Sequence, residues 1–121
     1  MFSRLFQFTL SVVVIGVMAT PVGHATEAFS GAEDLRGWCS SMDNDDVHWG
    51  LCVGSVAAAH DTIMTYQSFD DMRKIVCVNP TITRGDLVIT VMEFMETHPE
   101  YMDLSLGDVV FSALREAYPC N

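Results

Sequence analysis

Residues 47–66, VHWGLCVGSVAAAHDTIMTY, decide the fold. Within them Trp49, Cys52, Val53, Val56, His60, Ile63 and Met64 recur at intervals of three and four, the spacing that stacks side chains on one face of a 3.6-residue helix. Asp46 precedes the pattern and offers a carboxylate as N-cap, so the spacing predicts a helix from Val47 to about Tyr66.

Toward the N-terminus, the acidic group Asp43, Asn44, Asp45, Asp46 interrupts the pattern. Before it, Leu35 to Ser41 makes a short helix ending near Cys39, and residues 26–34 are a small, polar, loose lead-in. Toward the C-terminus, Gln67 and Ser68 form a polar break. Phe69 to Val76 then reads as a second short helix with Asp70 and Asp71 in its first turn, where negative charge is favoured, and Asn79 and Pro80 stop it. Thr83 caps a helix carrying Leu87, Val91, Phe94 and Met95 on one face, with Pro99 at its end. The run Leu87 to Val91 also suits a strand, but the fifteen-residue period and the flanking cap and proline favour helix. A loop over Pro99–Asp103 leads to a last helix bearing Leu106, Val109, Val110, Ala113, Leu114 and Ala117, stopped by Pro119. With no repeat and no alternating strand run, the expected class is all-α, a small compact bundle of four to five helices with short connections.

The first 25 residues carry one charge, Arg4, then an apolar run from Leu5 to Ala19, then Pro21, Gly23 and Ala25. This is the layout of a secretory signal peptide, with small residues at the positions before a cut after Ala25. The alternative, an uncleaved anchor, is disfavoured because Gln7, Thr9 and Ser11 dilute the run and Pro21 breaks its end. Residues 26–121 then form the mature chain, with 35–121 as its helical domain and no stable membrane insertion.

Cys39, Cys52, Cys77 and Cys120 all fall in that mature part, an even number in an exported chain, and read as two disulfides. Four cysteines allow three pairings. Helix order favours Cys39 with Cys52, across the first hairpin, and Cys77 with Cys120, which flank the last two helices. Removing the leader leaves Arg36, Arg73, Lys74, Arg84 and Arg115 against sixteen acidic residues, a net charge of −11 that repels nucleic acid and anionic lipid. The same charge keeps the protein soluble and steers a basic partner.

Little in the chain suits catalysis. Cys52 and His60 share a helix but stand two turns apart, and a paired cysteine is no nucleophile. Zinc sites need closely spaced ligands, whereas 12, 24 and 42 residues separate these cysteines; Asp43, Asp45 and Asp46 lack the glycine and distal glutamate of a calcium loop. Neither a catalytic residue nor a metal or other cofactor is expected. His60 reads as a core histidine and His98, beside Pro99, as a helix C-terminal group. Asp61, within an apolar helix, is expected to need a partner.

Taken in order, Cys52-Val53-Gly54, Asp61, Cys77-x-x-Pro80, Thr83, Leu87, Phe94, His98-Pro99-Glu100, Ala113-Leu114 and Ala117-Tyr118-Pro119-Cys120 resemble the Rap/Tai immunity-protein family across residues 35–120. The chain departs from that pattern at Ser55, where the family usually has tyrosine, at Ala58, often glycine, and at Asp86, which tends to be glutamine. The framework is unaffected, and the departures bear on partner specificity. The resemblance implies a periplasmic helical protein, commonly a homodimer. Such proteins protect a bacterium from peptidoglycan amidase effectors delivered by type VI secretion, by plugging the cleft of a cysteine peptidase. Steric occlusion asks no catalytic group of the inhibitor. The matching contact region is the loop after the long helix, with His98, Glu100, Tyr101 and Asp103 as its partner-binding candidates. A reading from a different class is a small envelope stress or acid-response chaperone, in which protonating the many carboxylates loosens a dimer.

Overall fold

The computed structural model describes residues 30–41, 46–69 and 73–121. Four α-helices and one 3-10 turn follow in chain order: α1 (Ala32–Cys39), α2 (Asp46–Gln67), α3 (Arg84–Thr97), the turn Pro99–Tyr101 and α4 (Leu106–Ala117). Among the described residues there is no strand. Two isolated antiparallel bridges, Gly31 with Ser105 and Val76 with Pro119, close the bundle at its connections. The expected all-α bundle with two disulfides is what forms. The leader over residues 1–25 and the acidic residues Asp43 and Asp45 lie outside the described residues.

Helix α2 touches the other three and acts as the spine. Its inward face supplies Cys52 and Val56 to the core and packs Trp49, Val53, Ile63 and Met64 against it, as its period requires. The core is completed by Leu35 from α1, by Leu87, Val88, Val91, Phe94 and Met95 from α3, and by Val109, Val110, Ala113 and Leu114 from α4. Burial settles the ambiguous run in α3. Leu87, Val88 and Val91 are buried while Ile89 is 54% exposed. A strand would have set residues 87, 89 and 91 on one face; a helix separates Ile89 from the others.

Local chemistry fixes the helix ends. The Thr83 hydroxyl oxygen accepts the Asp86 N–H at 3.2 Å, and the Asp86 carboxylate accepts the Thr83 hydroxyl at 2.7 Å and its N–H at 2.8 Å. This reciprocal cap holds the Asp86 carboxyl below its usual range, through the side-chain bond first and the backbone bond second. Ser105 does the same for α4, accepting from Asp108 N–H at 3.2 Å and donating to its carboxylate at 2.7 Å. At α1 the Asp34 carboxylate accepts the Gly31 N–H at 3.0 Å, so this helix starts at Ala32, inside the stretch expected to be a loose lead-in. Asp46, expected as the N-cap, is instead the first residue of α2, where its negative charge is favoured by the helix dipole.

Both disulfides pair as helix order suggests. Cys39–Cys52 joins α1 to the early turns of α2 with both residues fully buried, and Cys77–Cys120 ties the segment before α3 to the C-terminus. The short helix expected over Phe69–Val76 does not form among its described residues: Arg73, Lys74 and Ile75 are irregular and Val76 makes a bridge. The cause is Gln67. Instead of ending α2 as a solvated break, its buried side chain accepts the N–H groups of Ile75 and Val76 and donates to the Val76 carbonyl, each at 2.8 Å. Those bonds occupy the backbone groups a helix would have used, and Cys77 N–H to the Tyr118 carbonyl at 2.8 Å continues the extended path. Asp61, expected to need a partner, is exposed and lies 3.2 Å from Nδ1 of the half-buried His60.

Candidate functional site

The connection from α3 to α4 is short, and nearly every residue in it is held. His98 N–H bonds to the Phe94 carbonyl at 2.9 Å, Tyr101 N–H to His98 at 3.1 Å, Met102 N–H to Pro99 at 3.2 Å and Leu104 N–H to Tyr101 at 3.1 Å. The result is the 3-10 turn Pro99–Tyr101 in place of the irregular loop expected, with Pro99 at a position that needs no N–H donor. Met102 is buried and anchors the turn, and Ala32 N–H reaches the Leu104 carbonyl at 3.0 Å, docking the loop on the start of α1.

Three rings brace this turn. The His98 imidazole stacks on Phe94 with centroids 4.1 Å apart and planes 16° apart, and Tyr101 meets Phe94 edge-on at 5.0 Å and His98 at 5.9 Å. Each such pair contributes roughly 0.5–1.5 kcal/mol beyond its buried area. His98 Nδ1 lies 3.1 Å from the Phe94 carbonyl and 2.9 Å from Thr97 Oγ1. A carbonyl only accepts, so Nδ1 carries the hydrogen, and the Thr97 hydroxyl donates to the Glu93 carbonyl at 3.0 Å. The other ring nitrogen, Nε2, sits 3.6 Å from a Glu116 carboxylate oxygen on α4.

The four residues proposed from sequence therefore divide into two pairs. His98 and Tyr101 are half-buried on Phe94 and shape the loop, whereas Glu100 and Asp103 are exposed on it. Glu96 and Leu104, which flank the turn in the chain, are exposed as well. Sequence reading passed over them because Glu96 looks like any solvated helix residue and Leu104 breaks no pattern. All eleven carboxylates among the described residues are exposed, but those at helix starts, Asp34, Asp86 and Asp108, are engaged in capping. Glu96, Glu100 and Asp103 carry no such duty, which leaves them available to a partner.

All four cysteines are in disulfides, so Cys52 has no thiolate for His60 to activate, and no group of three or more metal-ligating side chains occurs among the described residues. What the arrangement can do is present negative charge and a small apolar edge on a stiff turn. Compared with protein-family models, residues 31–120 match the family described as Rap1a immunity proteins. No curated protein and no solved structure matches the chain.

Proposed function

The chain belongs to the Rap1a immunity proteins, and from that premise we propose that it neutralises a peptidoglycan amidase effector by seating the His98–Asp103 turn in the effector's catalytic cleft. An immunity protein works by binding its cognate effector. The observation that carries the finer reading is the braced turn itself: exposed Glu100 and Asp103 on a backbone fixed by three packed rings. A surface that is already ordered loses little conformational freedom on docking, so more of its contact energy appears as affinity. Filling a cleft excludes substrate by volume alone, and no chemistry is asked of the inhibitor.

The exported character of residues 1–25 supports a periplasmic location after cleavage behind Ala25, where an oxidising environment suits both disulfides. Effectors delivered by type VI secretion reach that compartment, and a homodimer would present two turns at once. Titration calorimetry of the purified protein with the amidase encoded beside its gene tests the reading. Tight binding is expected, with Glu100→Lys plus Asp103→Lys weakening it at least about tenfold, equivalent to roughly 1.4 kcal/mol. No heat of binding with an active, folded amidase rejects it.

A further inference from the structure

Away from the turn, the molecule carries a second surface of opposite character. Ile63, Tyr66 and Gln67 from the end of α2, Arg73 and Ile75 from the extended segment, and Phe111 from α4 line an open groove of about 390 Å³. Two of its apolar side chains are well exposed, Tyr66 at 58% and Ile75 at 39%, while Ile63 and Phe111 are half-buried; Phe69, 60% exposed, lies beyond the groove and meets Tyr66 edge-on with centroids 6.5 Å apart. Basic residues crowd the same place. The Arg115 guanidinium lies 5.6 Å from the Phe111 ring centroid, and Arg73, Lys74 and Arg115 border a depression floored by Ile75 and Pro119. In a chain with net charge −10, Arg73 thus lines the apolar groove itself, and Lys74 and Arg115 stand beside it around the neighbouring depression that shares Arg73 and Ile75.

We infer that this groove docks an acidic segment of a partner protein, a stretch that sets a large apolar side chain between Tyr66 and Phe111 and carboxylates against Arg73 and Arg115. Charge complementarity selects the occupant. A neutral apolar ligand would leave the two guanidinium groups unused, a basic segment would be repelled locally, and a long polyanion such as nucleic acid would meet the net negative charge of the whole protein. Guanidinium groups beside an aromatic face suit a carboxylate with two oxygens in one plane. The floor is also fixed in advance, because Gln67 bonds to Ile75 and Val76 and the Cys77–Cys120 disulfide follows directly. None of these residues belongs to the His98–Asp103 turn, so the inference stands apart from the amidase reading.

Amide chemical shifts of the disulfide-intact, 15N-labelled protein test it. The probes are an end-blocked heptapeptide of Asp and Glu with one Phe and one Leu, and the same peptide with Lys at every acidic position. The acidic peptide is expected to shift amides at residues 62–67, 73–75 and 111–115, with Arg73→Glu plus Arg115→Glu weakening binding about tenfold or more and Arg73→Lys plus Arg115→Lys retaining most of it. Unchanged dispersion of the core amides in both variants separates lost contact from lost fold. Equal binding of the lysine peptide, shifts centred on residues 98–103, indifference to charge reversal, or no binding would each overturn the assignment. So would concentration-dependent shifts at the groove without peptide, which assign the face to a second copy of the chain.

Discussion

Residues 98–105 and residues 73–78 both connect α-helices, yet they are held in different ways. The first is fixed mostly by near neighbours, His98 on Phe94, Tyr101 on both and Ser105 on Asp108, with the Gly31–Ser105 bridge and the His98–Glu116 contact as its distant ties. The second is fixed from far along the chain, by the Gln67 amide, by backbone bonds from Cys77 to Tyr118 and from Cys120 to Ile75, and by the Cys77–Cys120 disulfide. Their charges differ as well, acidic on the turn and basic around the groove. Local restraint makes a stiff projection that can enter a cleft. Distant restraint makes a stiff floor that can receive something.

The sharpest way to break this contrast is to cut the distant tie. Replacing Cys77 and Cys120 by Ser removes a link across a sequence separation of 43, and the loop-entropy relation puts the loss at about 4 kcal/mol in urea denaturation. Hydrogen exchange should then accelerate at residues 75–77 and remain slow at 98–104. Acceleration at both would show that the two regions are one unit. Because Cys77 is exposed while Cys39 and Cys52 are fully buried, a mild thiol reductant should open this bridge first, which mass mapping of alkylated cysteines reads directly.

Gln67→Leu comes next. It strands two backbone N–H groups and one carbonyl next to the core, and we expect a loss of roughly 3 kcal/mol in the same denaturation experiment. A loss under about 1 kcal/mol would mean that water takes over these bonds and that the segment is held by the disulfide alone. On the other side of the comparison, Tyr101→Ala should cost about 1.5 kcal/mol and loosen residues 98–104 without touching 73–78, as seen by amide exchange.

The smallest effect belongs to the cap of α3, which serves both regions equally. Thr83→Ala should cost about 1 kcal/mol. Its pH dependence carries a sign. The Asp86 carboxyl is held below its ordinary value of 3.8, so the stabilisation is present above that value and fades as pH falls through the lower folded-state value. The stability gap between the parent and Thr83→Ala should therefore narrow in acid; a gap that widens would contradict the hydrogen-bond assignment.

The first region was largely legible in the sequence. Thr83, the apolar period from Leu87 to Met95, and His98-Pro99-Glu100 are local signals, and they place α3, its end and the turn correctly. The ring stack follows from residues spaced four and three apart, Phe94, His98 and Tyr101, although the short 3-10 turn was read as irregular. The second region was misread for a physical reason. Gln67 is polar and ends an apolar helix, so it looks like a solvated stop; its side chain is bound by the Ile75 and Val76 backbone, which no local pattern connects to it. Arg73, Ile75, Phe111 and Arg115 lie on separate elements, and only the fold assembles their groove. Disulfide pairing, by contrast, could be reasoned from helix order because each bridge joins elements already expected to be neighbours.

Whether the turn at residues 98–103 silences an amidase can be read in one assay. The most direct measurement is peptidoglycan hydrolysis by the adjacently encoded amidase, titrated with the purified protein and with its Glu100→Lys, Asp103→Lys form. Activity is expected to fall to background at one turn per active site with the parent protein, and the charge-reversed form to need a large excess. Full hydrolysis in the presence of excess parent protein, or equal inhibition by the two forms, would contradict it.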